Sequence, residues 1–253
     1  MFQVKVNGLE QLKAQLDGFS DRRFAAAVAT ALTRTGQAIR DQWKQELQAR
    51  IDRPTALTAN APRLKMATAS ELVATVSMRS DVPSGTPPSQ YLQPLEYGGG
   101  REHKKFERAL IAQGSMPPNT YALPTDNAER DGFGNVRRQV LVQVLVQLAG
   151  GSVSRGYRRV ISASAQRRAQ AAIRAGRDYL AVLNRTDNIY PGIYQRGKDG
   201  ALKMIFAYES SVRYRRTTSL VDRAREIAPR IMTAELKRAV EESMARLAAK
   251  GRA

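Results

Sequence analysis

The sequence predicts an α+β protein in which a small, mostly antiparallel sheet packs with two long amphipathic helices, one N-terminal and one C-terminal. Three observations support this class. Apolar residues recur at helical spacing near both ends of the chain, short segments of alternating polarity lie between glycines, and seven of the 11 prolines fall within residues 81–135. We therefore expect a single structural domain over residues 1–253, with a long, irregular Pro/Gly-rich excursion or arm at about 81–135.

The elements of the first half follow from periodicity and turn residues. Alternation predicts a strand at 2–6, and leucines three or four apart predict a short helix at 9–16. A long helix is expected from about residue 20 to a point before Pro54, followed by a strand at 71–79. The apolar stripe of this long helix consists of Phe24, Val28, Leu32, Ile39, Trp43 and Leu47.

Two helices are predicted in the middle of the chain. One short helix is expected at 101–113, inside the Pro/Gly-rich excursion. Over 140–148 the valines favour a strand, but glutamines four residues apart favour a helix with a narrow polar stripe, which is the interpretation we adopt.

The C-terminal part is predicted to contain a helix, three strands and a final long helix. An Ala- and Arg-rich helix at 163–175 precedes three strands at 178–183, 192–196 and 201–208. The last two strands form a hairpin through the turn Gly197–Gly200, since glycine permits tight turns. Ser219 is a suitable N-cap for a final long helix, which Pro229 is expected to kink or divide in two.

The chain is strongly basic. It has 253 residues, with 41 Lys and Arg against 23 Asp and Glu, a formal net charge of +18 and a pI near 10.7. Such a chain is attracted to polyanions or acidic protein surfaces. It has no cysteine and one histidine, His103, which excludes disulfides and argues against histidine-based metal sites. Its apolar runs fall short of the roughly 20 residues that span a bilayer, so we expect no membrane partner.

The arginines are concentrated in a segment that lacks acidic residues. Residues 132–177 contain neither Asp nor Glu, and we interpret them as a basic, acid-free insertion. Arginine pairs with phosphate or carboxylate in two-point contacts. We therefore predict a basic contact face for an acidic partner or DNA, with a merely solvated face as the alternative. The candidate residues of this face are Arg155, Arg158, Arg159, Arg167, Arg168, Arg174, Arg213, Arg215 and Arg216.

The residue pattern does not favour an enzyme. The glycines at 98–100 lack the spacing of a phosphate-binding loop. Glu96, Glu102 and His103 form the one cluster worth considering for acid–base chemistry, and a structural role fits them better. Other glutamates, Glu46 among them, occupy helical positions typical of solvated faces. We predict no enzyme activity, no catalytic, cofactor-binding or metal site, and no cofactor.

Several short motifs occur in a distinctive order. Residues 4–12 read VKVNGLEQL, residues 91–98 read YLQPLEYG and residues 191–198 read PGIYQRGK. With the long helices and strands around them, these motifs resemble the Z-type minor tail and tail-completion proteins of tailed bacteriophages. In that family a strand followed by G-L-x-x-L opens the chain, and Y-x-x-x-(V/L)-E-(F/Y)-G closes the sheet before a glycine turn.

The resemblance implies a structural virion protein that forms a ring in the neck or head-proximal tail and acts in tail completion or head–tail joining. Its implied partners are copies of itself in a hexameric ring and the neighbouring tail-tube, terminator or connector proteins, with non-specific contact to packaged DNA. The protein would be made in the bacterial host cytoplasm and reside in the virion. The resemblance brings no catalytic residues.

The same resemblance directs attention to the loop from Pro83 to Gly100. This loop could supply an inter-subunit arm whose anchors are Tyr91, Leu92, Leu95 and Tyr97, because buried aromatic residues dominate interface energy. The alternative is that these four residues pack on the core of their own chain.

Two other functional classes stay open at this point. The alternative to a virion protein is a basic nucleic-acid-binding protein of a prophage or mobile element, which would bind duplex DNA tightly at physiological salt. An enzyme, or an inhibitor of one, is the third class. An enzyme would require Glu96, Glu102 and His103 to converge in a pocket with shifted pKa values.

Overall fold

A computed structural model describes residues 3–6, 21–83, 85–149, 163–186 and 188–250. Within these residues, helices combine with antiparallel strands, which confirms the predicted α+β class. The short helix predicted at 9–16 lies outside the described residues.

The bounds of the elements are as follows. The helices are α1 Asp21–Arg50, α2 Ala56–Ala59, α3 Pro88–Tyr91, α4 Gln93–Tyr97, α5 Lys105–Ala112, α6 Arg138–Leu148, α7 Ala163–Arg174 and α8 Leu220–Lys250. The strands are β1 Gln3–Val6, β2 Pro62–Lys65, β3 Ala74–Met78, β4 Tyr121–Pro124, β5 Asp178–Val182, β6 Gly192–Arg196 and β7 Leu202–Glu209.

The chain divides into two compact units, whereas the sequence predicts one domain. The first unit comprises Met1–Gly99 and Arg215–Ala253, and the second comprises Gly100–Tyr214. Each unit has its own cluster of buried apolar residues. Periodicity marks which residues are apolar but not which cluster they join, so the division is not visible in the sequence.

The first unit packs the two long helices with a three-stranded antiparallel sheet in the order β1-β3-β2. The predicted strand at 71–79 is the shorter β3, and β2 was not predicted. The apolar stripe predicted for α1 lies in the core, together with buried residues of β3 and α8. The core therefore forms where the two helical stripes and one face of β3 meet.

One expectation for the first unit is wrong, and of the two effects expected of Pro229 the division of the helix does not occur. Glu46 is buried rather than solvated, because Oε1 accepts the Ser219 N–H and Oε2 pairs with Arg223 at 3.4 Å. Helix α8 runs from Leu220 to Lys250 without being divided at Pro229. Residues on both sides of this proline, Ala224 and Leu236 among them, are buried in the same core, and this packing holds the helix together.

The second unit has a separate four-stranded antiparallel sheet in the order β4-β7-β6-β5. The three strands predicted after residue 177 are β5, β6 and β7, and the last two form the predicted hairpin. Helices α6 and α7 form where the sequence predicts helices at 140–148 and 163–175. The strands are thus shared between two sheets rather than forming one.

The segment at 81–135 is more regular than its prolines suggest. It contains α3, α4, α5 and β4, of which the sequence predicts α5 alone, at 101–113. Pro88 and Pro94 stand in the first turns of α3 and α4, where a missing N–H costs little. Pro124 lies on the edge strand β4. The boundary between the two units also falls within this segment, so it is not one continuous arm.

Side chains close parts of both edges of the second sheet. On β4, the N–H of Ala122 donates to Glu107 Oε1 at 3.0 Å. On β5, the N–H of Tyr179 donates to Gln147 Oε1 at 2.7 Å, and Gln147 Nε2 donates to the Arg177 carbonyl at 3.0 Å. These side chains occupy backbone groups to which a further strand could otherwise pair.

Candidate functional site

One of the three motifs that carry the resemblance, at 91–98, includes the last residue of α3 and all of α4 in the first unit. Leu92 is buried in the core and Leu95 packs against it, so these two predicted anchors face their own chain. Tyr91 and Tyr97 keep 36% and 57% of their surface exposed. The two tyrosine rings are therefore partly exposed, although the Tyr91 hydroxyl shares a hydrogen bond of 2.9 Å with Thr58 Oγ1, and the leucines hold the segment in place.

Glu96, between these anchors, holds the start of the C-terminal helix. Its fully buried carboxylate accepts hydrogen bonds from Thr218 Oγ1 at 2.8 Å, the Leu220 N–H at 2.9 Å and the Val221 N–H at 3.0 Å. Helix α8 thus begins just after Ser219, as predicted, but Glu96 binds its first two N–H groups. An anion at this position also interacts favourably with the helix dipole.

Tyr97 lies among charged side chains at the surface of the first unit. Arg216 donates to Asp222 and lies 3.8 Å from Glu96. Partial burial, followed by the charge of Glu96, raises the pKa of the Tyr97 phenol, while Arg225 and Arg216 oppose the shift. An exposed aromatic ring beside charges of both signs is a suitable element for binding another protein.

The three residues considered for acid–base chemistry do not all belong to the same unit. Glu96 belongs to the first unit and is occupied as a helix cap, whereas Glu102 and His103 belong to the second. His103 Nε2 lies 2.8 Å from the Thr120 carbonyl oxygen, and its ring stacks on Tyr121 with centroids 4.7 Å apart. Glu96 and His103 thus each bind other parts of their own unit, and Glu102 is exposed.

A buried ion pair in the second unit was not predicted. Arg101 donates to both carboxylate oxygens of Glu107, at 2.6 and 2.5 Å, and both side chains are nearly inaccessible. Glu107 also accepts the Lys104 N–H at 2.6 Å and the Ala122 N–H. Burial opposes the charged form of Glu107, but the hydrogen bonds from Arg101, Lys104 and Ala122 outweigh it and hold its pKa below the ordinary value.

The nine arginines of the predicted basic face fall into three groups. Arg155, Arg158 and Arg159 lie outside the described residues. Arg167, Arg168 and Arg174 are exposed on α7, and Arg213 is exposed near the end of the second unit. Arg215 and Arg216 are exposed in the first unit, where Arg216 is paired with Asp222. The basic residues are therefore distributed over both units.

A groove of about 420 Å³ in the first unit is lined mainly by alanines and threonines, and its Arg34 pairs with Glu242 at 2.9 Å. Within the described part of the chain, no cluster of three or more potential metal ligands occurs. The helices described here include none that is long and apolar enough to cross a membrane.

Comparison of the chain with protein-family models, curated proteins and solved structures gives no match.

Proposed function

We propose that this chain is a structural protein of a tailed bacteriophage, a ring-forming component of the neck or head-proximal tail that acts in tail completion or head–tail joining. The observation that carries the proposal is how the motif at 91–98, one of the three that resemble the phage family, is held in the fold. Leu92, Leu95 and Glu96 anchor this motif to the first unit, and its two tyrosines are partly exposed.

This arrangement suits a protein–protein contact. An anchored segment loses little conformational entropy when a partner binds. Tyrosine adds a large, rigid contact surface with a polar end, and it is enriched where interfaces are strongest. The charged neighbours of Tyr97, Arg216 and Asp222, would form the polar rim of the contact.

In a closed ring each subunit presents two different surfaces to its neighbours. We assign the tyrosines at 91 and 97 to one of these surfaces in a hexameric ring. Tail-tube, terminator or connector proteins are the proposed neighbours above and below the ring. The basic residues would steer assembly onto acidic surfaces and touch packaged DNA without sequence preference.

The direct test is mass spectrometry of tailed particles purified from the bacterium that encodes the chain, with copies counted against the major capsid protein. We expect the chain in mature particles at a low, fixed copy number close to a multiple of six. Absence from both mature particles and assembly intermediates would overturn the proposal.

A matched pair of variants tests the proposed contact. Tyr97 and Tyr190 expose 57% and 56% of their surface and belong to different units. We expect Tyr97→Ser to lower the yield of infectious particles about tenfold in a complementation assay, because it removes an interface aromatic residue. Tyr190→Ser should leave the yield unchanged. Equal yields for the two variants would contradict the assignment of Tyr97 to the contact.

A free nucleic-acid-binding protein is the second candidate, favoured by the exposed arginines of α7. Salt dependence distinguishes it from the first, since phosphate contacts release counterions and weaken steeply as salt rises. Tight duplex binding by the purified chain at physiological salt, together with its absence from particles, would favour this candidate.

A further inference from the structure

Arg79 lies directly after strand β3, where hydrogen bonds fix its backbone to two other segments of the first unit. Its N–H donates to the Ala61 carbonyl at 2.9 Å, and its carbonyl accepts the Ser89 N–H at 3.1 Å. Ser89 is buried, and so is Met78, the last residue of the strand. The base of the Arg79 side chain therefore has a fixed position in this unit.

Within the described residues, the Arg79 side chain has neither a hydrogen-bond acceptor nor a carboxylate partner. The side chain is half-buried, and its Nε is closed off from solvent, whereas the two Nη groups at its tip reach the surface. Buried donors without an acceptor are rare in folded proteins, because they lose the hydrogen bonds that they make with water. This arginine is thus held in place while the end of its fork stays open.

The two carboxylates nearest to Arg79 along the chain already have basic partners. Asp81 pairs with Arg63 at 3.5 Å, and Glu71 pairs with Lys65 at 3.0 Å. The side chain of Asp81 nevertheless remains 72% exposed. Neither carboxylate neutralises Arg79, so the opposite charge has to come from a binding partner.

Arg79 belongs to the same part of the first unit as Tyr91. Ser89, which donates to the Arg79 carbonyl, stands two residues before Tyr91. The Tyr91 hydroxyl shares a hydrogen bond of 2.9 Å with Thr58 Oγ1, and the Thr58 carbonyl accepts the N–H of Ala61 at 3.2 Å. Tyr91 is 36% exposed. Arginine and tyrosine are among the residues that contribute most to protein interfaces.

We propose that the Nη groups of Arg79 bind a carboxylate side chain of the next copy of the chain in the ring, at the contact that also includes Tyr91. The planar guanidinium matches a carboxylate in a two-point geometry. A side chain that is already held in place loses little entropy on binding. DNA suits this position less well, since its row of phosphates would meet the exposed carboxylate of Asp81.

The inference rests on the proposed function and names the chemistry of the group that the next subunit supplies. Glu102 and Asp126 are exposed, and within the described part of the chain neither side chain has a partner. Both belong to the second unit, whereas Arg79 belongs to the first. A contact between the first unit of one copy and the second unit of the next joins two different surfaces, as a closed ring requires.

The first test compares stability with assembly in the full-length chain. Arg79→Met keeps the stem of the side chain and removes the fork. We expect an unchanged urea midpoint for the purified chain, followed by the fluorescence of Trp43, because the fork binds no group within its own chain. The yield of infectious particles in a complementation assay should fall about tenfold. Arg230→Met, at an exposed position of α8, is the matched control and should change neither quantity.

The second test identifies the partner by charge reversal. Arg79→Glu should lower the particle yield further than Arg79→Met, because it places two like charges in contact. Selection for restored yield should then recover second-site changes of Asp or Glu to Lys or Arg in the second unit of this chain. Glu102 and Asp126 are the positions expected first.

Other outcomes would overturn the inference. Equal yields for Arg79→Met and Arg230→Met, in particles that contain the chain, would exclude Arg79 from the contact and leave the proposed function standing. A lower urea midpoint for Arg79→Met would show a structural role. Restoring changes at Asp81 would show a partner within the same subunit, and restoring changes in another virion protein would replace the next copy by that protein. Duplex DNA that binds the wild type at physiological salt but not Arg79→Met would assign the arginine to phosphate. Absence of the chain from particles and assembly intermediates would overturn the proposed function and this inference together.

Discussion

Replacement of Glu107 by alanine is expected to lower the free energy of unfolding of the second unit by about 3–5 kcal/mol. The variant leaves the Arg101 guanidinium buried without its partner and removes the acceptor of the Lys104 and Ala122 N–H groups. Denaturation followed by near-UV circular dichroism of tyrosine measures the loss, because seven of the nine tyrosines belong to this unit.

Two further variants make this expectation specific. Glu102→Ala removes an exposed acidic side chain from the same segment and should change stability by less than about 0.5 kcal/mol. Arg101→Ala combined with Glu107→Ala should cost less than the sum of the single variants, since the pair is removed together. Additive effects would show that Arg101 and Glu107 do not stabilise each other.

The same carboxylate gives the second unit a pH dependence. The pKa of Glu107 is lowered from its ordinary value of 4.5, so the folded state favours the charged form. The stabilisation is complete above pH 4.5 and is lost as the pH falls through the lowered pKa of the folded state. The protection factor of the Ala122 amide against hydrogen exchange should therefore fall as the pH drops below 4.5 in the wild type, and show a weaker pH response in Glu107→Gln.

Replacement of Glu96 by alanine is expected to destabilise the first unit by about 2–4 kcal/mol. The variant leaves the N–H groups of Leu220 and Val221 and the Thr218 hydroxyl without their buried acceptor. Glu96→Gln should give an intermediate loss. Its amide keeps one acceptor oxygen, but its NH2 group is a donor and replaces the second acceptor of the carboxylate.

The single tryptophan of the chain reports this effect directly. Trp43 Nε1 donates to the Leu220 carbonyl at 2.9 Å, at the end of α8 that Glu96 holds. Urea denaturation followed by tryptophan fluorescence should show a lower midpoint for Glu96→Ala. Glu241→Ala, at an exposed position of α8, serves as the control and should leave the midpoint unchanged. Similar midpoints for both variants would contradict the capping role.

Local patterns account for the elements that could be predicted from the sequence. The stripe from Phe24 to Leu47 identified α1, and the turn at 197–200 identified the β6–β7 hairpin. The glutamine spacing identified α6 as a helix but did not indicate how each glutamine is placed, since Gln139 is exposed and Gln143 is buried. A glutamate three residues into a helix is a capping signal, so the local part of the Glu107 role was open to prediction.

The sequence by itself determined the α+β class, most of the long elements and the strongly basic character, because periodicity, turn residues and charge are properties of neighbouring residues. The tertiary structure alone decided the division into two units, the burial of Glu46 and the capping of α8 by Glu96, which lies 124 residues before Leu220. It also decided which anchors of the 91–98 segment face the core. A buried polar group needs a partner that is near in space, and spacing along the chain does not identify that partner.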